Sequence, residues 1–230
     1  MLGFSAALFA PIGAYLLIDS WKIQKKYDLK KEYLVQILID LKPIFIELVE
    51  VREVEARVKS TKENLVLYTK TYKKQNLELN HFVVQLHPNI TIVKELFDLI
   101  NLGDLYTQLE RHCTAIQSSY HHNVINHYSS YYKKAFDINN GEENLNYQFS
   151  RAYFPRELME LESYIDRIQI YINMRCSFDI FDETTGEAKD ITEYENFRTL
   201  VKKTIEIHNK IQQICIDELK RELERKPSNV

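Results

Sequence analysis

Seven histidines and three cysteines are the residues of this chain best suited to ligate a metal or to act on a substrate. Their spacing decides which chemistry is open to them. A di-iron carboxylate bundle needs Glu-x-x-His pairs on two facing helices and two further glutamates. Only Glu78 and His81 form such a pair, because Val84, Leu109, Ser118, Ser119, Val124 and Ile205 precede the other six histidines by three. A zinc site announced by Cys-x-x-Cys or His-Glu-x-x-His is also missing, with the cysteines at Cys113, Cys176 and Cys215.

What remains is a shared helix face. Cys113 and His127 recur on one three-four stripe, and His208 and Cys215 on another, so the candidate pocket residues are His127, His208 and Cys113. Leu and Ile hold the equivalent positions in neighbouring turns, which favours core lining, and no metal or cofactor is expected. Nucleophilic and nucleotide chemistry lack their usual loops: five glycines supply no Gly-x-Ser-x-Gly, no Walker loop and no Gly-x-Gly-x-x-Gly. No catalytic residue is assigned, and a non-enzyme is favoured.

The run Tyr120–Lys134 mixes stackable rings with Lys133 and Lys134, as single-strand binders do. Its tyrosines fall on the apolar stripe, however. Thirty basic against thirty-three acidic residues, a net charge of −3, give no cationic field, so no nucleic acid is expected. The odd cysteine count suits buried thiols better than a disulfide framework.

The elements that would position these residues are helical. With 45% hydrophobic and 27% charged residues and only five prolines, disorder is excluded and a turn-rich sandwich disfavoured. Ile37, Leu41, Ile44, Leu48, Val51, Val54 and Val58 recur at helical spacing, with Pro43 predicting a kink or break after Asp40. Ser60 with Glu63 suggests a helix start near Thr61, and His87-Pro88-Asn89 its end. A third segment from Ile90 should break at Gly103-Asp104, and a helix of some thirty residues should follow along Leu109, Cys113, Ile116, Tyr120, Val124, His127, Tyr131 and Ala135.

Polar loops are expected at 137–146 and 182–190, with a helix led by Pro155 between them and a capping box at Thr192 and Glu195 opening the last. No strand is evident. The fold class is all-α: a bundle of about four to six long antiparallel helices, preceded by an apolar N-terminal helix.

That first helix carries the functional expectation. Residues 2–18 contain no charge and at about 1.5 Å per residue reach the short end of a bilayer span. Trp21 follows at the place of an interfacial aromatic, then the basic flank Lys22, Lys25, Lys26, Lys30 and Lys31, which belongs in the cytoplasm by the positive-inside rule. No basic segment precedes the apolar run, unlike a cleavable signal.

The reading is a membrane-anchor helix at 1–21, a cytoplasmic helical bundle at 22–226 and a frayed tail at 227–230. The protein would be single-pass, held in the lipid bilayer through residues 2–18, its bundle acting as a protein-interaction or sensing module for a protein partner or for itself. The alternative is a soluble oligomeric enzyme or ligand binder with a pocket near His127 and His208.

Overall fold

A computed structural model of the chain describes residues 2–61, 76–138, 160–181, 188–194 and 196–224; the side chains of residues 2–17, 123, 171, 176–194 and 223 lie outside that description. The chain is predominantly helical. Its helices are α1 (Leu2–Ser60), α2 (Leu79–Phe97), α3 (Ile100–Ser119), α4 (Asn126–Ile138), α5 (Glu162–Asn173) and α6 (Phe197–Glu224), with a π-helical segment at Tyr120–Ile125 joining α3 to α4.

Four of these helices make the most extensive packing contacts, and α4, α5 and the π-helical segment add side chains to the same core. Helix α1 packs against α2 and α6, and α3 packs against the same two. Cross-contacts fix their senses. Lys30 meets Glu218 and Glu222, Leu41 meets His208, and Glu55 meets Arg198, so α1 and α6 run in opposite directions. Lys26 against Phe97 and Asp40 against Asn89 set α2 antiparallel to α1. Asn80 against Thr114 and Gln117, and Lys94 against Gly103, do the same for α2 and α3.

The stripe read on α1 is the buried one: Leu34, Ile37, Leu41, Ile44, Leu48, Val51, Val54 and Val58 are each at most 4% exposed. Burying each such side chain is worth about 1.5–3 kcal/mol, far more than local helix propensity contributes.

That packing explains why α1 continues through Pro43 without a break, and why α2 continues through Pro88, where a helix end was expected. Each proline removes a donor to the carbonyl four residues earlier. Those carbonyls belong to Ile39 and Val84, which are 56% and 64% exposed, so water can take the vacated bond. Meanwhile Leu86, Ile90 and Val93 stay buried on either side of Pro88.

The break expected at Gly103-Asp104 comes earlier, at Asp98-Leu99, where Asp98 takes a left-handed backbone at φ 55°. Gly103 is inside α3. Ser60 and Thr61 donate hydroxyl bonds back to the carbonyls of Arg57 and Val58 at the end of α1; the helix expected to start near Thr61, with Glu63, falls on residues 62–75, which lie outside the described residues. Leu158 and Pro155 also lie outside them, whereas Leu161 just before α5 and Ile165, Ile168 and Ile172 within it line the core as their spacing predicts.

A strand pair is the largest departure. β1 (Cys176–Phe181) and β2 (Ala188–Tyr194) pair antiparallel, from Cys176 opposite Tyr194 to Phe181 opposite Ala188. Residues 188–190 of the expected loop are therefore strand, and 182–187 lie outside the described residues. Thr192 is in β2, and the cap of α6 is Asn196, whose Oδ1 accepts from the Thr199 backbone N–H at 3.0 Å. The first loop starts later than expected, since α4 extends to Ile138; residues 139–146 and the tail 227–230 lie outside the described residues.

Candidate functional site

The three pocket candidates are on three different helices, Cys113 on α3, His127 on α4 and His208 on α6. His208 is 3% exposed on α6. Its Nε2 lies 3.1 Å from the Leu41 carbonyl, and its Nδ1 3.3 Å from the Asn209 amide. A carbonyl only accepts, so the hydrogen is assigned to Nε2. The Phe45 ring lies 5.3 Å away. The Nε2–H bond to the Leu41 carbonyl and the Phe45 ring are the contacts of a histidine packed in the core.

Cys113 is fully buried on α3. Burial, and then the nearby Glu110 carboxylate, push its thiol pKa well up, which leaves it an inert packing group. Burial and Glu218 likewise push Cys215 up to about 12.

His127 is only half-buried, on α4. Burial, and then the charge of Arg167 on α5, lower its pKa. The buried positions after Val124 are Ile125, Tyr128, Tyr131, Tyr132 and Ala135, with Tyr128 and Tyr131 fully buried, so Tyr131 and Ala135 keep their places on the expected stripe and His127 does not. Among the described residues no group of three or more His, Cys, Asp or Glu side chains could hold a metal ion.

The histidine that spacing did not single out is His112, which is 6% exposed between α3 and α6. Thr204 donates its hydroxyl hydrogen to the Leu200 carbonyl at 2.8 Å. Its oxygen therefore accepts from His112 Nδ1, 3.3 Å away. Burial lowers the His112 pKa from an ordinary 6.5 to about 4.

An unfolded chain binds the proton between those values and the folded chain does not. Stability is therefore full above pH 6.5 and falls as pH drops toward 4, by up to about 3 kcal/mol. Urea titrations at pH 7 and pH 4.5 should show a smaller loss for His112→Gln than for the unmodified chain. Equal losses in both would show that His112 is not the group responsible.

The amino-terminal end has a different character. Every residue from Ile18 to Lys26 is exposed, with Ile18 at 53%, Trp21 at 63% and Ile23 at 60%. Nine residues of helix rise about 13 Å. The basic flank divides in two. Lys22, Lys25 and Lys31 are exposed, but Lys26 lies 5.9 Å from the centre of the Phe97 ring. Lys30 lies 2.8 Å from both Glu218 and Glu222. Burial opposes the charge on Lys30, and the two glutamates more than offset it, so its pKa is raised.

A second apolar stripe follows on the outer side of α1. Val35, Ile39 and Ile46 are 40%, 56% and 48% exposed, and steps of four and seven put them on one helix face. Among the described residues no helix is long and apolar enough to cross a membrane. No protein-family model matches the sequence, and neither the curated proteins nor the solved structures contain a significant match.

Proposed function

We propose that the protein is a single-pass, membrane-anchored interaction module: residues 2–18 lie in the bilayer and an antiparallel helical bundle projects into the cytoplasm to engage a protein partner. One observation carries the reading. Helix α1 runs without interruption from the uncharged segment into the bundle core, and between the two, from Ile18 to Lys26, it is exposed on every side. An apolar helix continuing beyond the bundle needs a nonpolar surrounding, and the exposed Trp21 is the side chain that favours a lipid–water boundary.

The stripe of Val35, Ile39 and Ile46 supports engagement of a partner, since three aligned apolar side chains on one exposed face are more than scattered surface residues. The interaction-module reading is preferred to a ligand pocket near His127 and His208 because His208 bonds to α1 while His127 lies beside Arg167 of α5.

Orientation is tested by protease. Added to intact cells it should leave the bundle undigested, and after permeabilisation it should remove it. Digestion of the bundle from outside would reverse the topology.

A further inference from the structure

Beyond that reading, a cleft of about 440 Å³ opens between α1 and α6, lined by Arg52 and Glu55 from one helix and Arg198, Val201, Lys202, Ile205 and Glu206 from the other. It is at the end of the bundle opposite Lys26, and its volume is within the range of small-molecule sites.

Its charges are arranged for an anion. Glu55 is 2% exposed and accepts from Arg198 Nε at 3.1 Å. That bond fixes the guanidinium and leaves its two terminal nitrogens for a ligand. Glu206 is held by Lys203 at 3.1 Å, outside the lining, so with Lys203 counted the cations exceed the carboxylates by two. Arg52 and Lys202 are both exposed, and Val201 and Ile205 supply the apolar surface between the charges. The cleft also borders the opening turns of α6, which starts at Phe197, where the helix dipole favours negative charge.

We propose that this cleft binds a small oxyanion carried on an apolar body, either a phosphate monoester or a carboxylate, with Arg52, Arg198 and Lys202 on the anion and Val201 and Ile205 beneath the apolar part. Guanidinium groups match both headgroups through paired N–H donors.

Phenyl phosphate and benzoate are the probes, titrated by calorimetry into the detergent-purified full chain, with benzyl alcohol as the neutral control. At least one anion should bind saturably at one site, and the one that binds identifies the headgroup. Benzyl alcohol should not bind. Arg52→Gln and Lys202→Gln should each weaken binding about tenfold, and added salt should weaken it further. Both side chains are exposed and on different helices, so thermal melts should stay close to that of the unmodified chain. No saturable binding of either anion at millimolar concentration, or binding that both variants leave unchanged, would overturn the proposal.

Discussion

Replacing Lys30 with methionine should destabilise the folded chain by about 3–5 kcal/mol, measured as a drop in the denaturant midpoint. The side chains of Glu218 and Glu222 are 11% and 6% exposed, and Lys30 bonds to both. Without its ammonium group, two carboxylates remain close together at the α1–α6 contact, where water does little to compensate them. Arg221, which also bonds Glu218, is 68% exposed and cannot replace the buried partner. The triple variant Lys30→Met, Glu218→Gln, Glu222→Gln should regain most of the loss, because a buried ionic group replaced as a unit leaves no charge stranded. A loss below about 1 kcal/mol for the single change, the range of exposed ion pairs, would return Lys30 to the solvated flank that its place in the sequence suggested.

Adjacent residues on α4 should differ as sharply. Tyr128→Ala should cost about 3–5 kcal/mol, as for other buried aromatic truncations, whereas His127→Ala should cost at most about 1 kcal/mol. Tyr128 is fully buried, with the Tyr131 ring 5.8 Å and the Tyr132 ring 6.3 Å away. His127 is half-buried beside α5. Urea melts of the two variants test that difference in burial. A costly His127 change with a tolerated Tyr128 change would contradict it.

The limits of sequence reading here have physical causes. Long stripes were legible: Ile37, Leu41, Ile44, Leu48, Val51, Val54 and Val58 are all buried on α1 as spaced, because a helix face repeated over about six turns has no competing interpretation. Prolines misled because their cost falls on backbone groups at exposed positions, and periodicity does not show that water can satisfy the carbonyls of Ile39 and Val84. His127 was misplaced because His127 and Tyr128 are three and four residues past Val124, steps that one helix face accepts equally, so spacing does not choose between them. Cys176, Phe178 and Ile180 do alternate in the sequence, a period-two signal too short to outweigh the surrounding helices. Nothing along the chain announces that Arg52 and Lys202 line one cleft, since 150 positions separate them.

The central claim is that residues 2–18 hold the bundle to a bilayer, and alkaline carbonate extraction of membranes from cells making the full chain tests it most directly. The protein should stay in the membrane pellet. Leu8→Arg combined with Leu16→Arg should move it to the supernatant with the bundle still folded, since each charge placed in an apolar span costs about 2.5–3.5 kcal/mol of insertion. An unmodified chain released by carbonate, or found in the supernatant after lysis without detergent, would contradict the account.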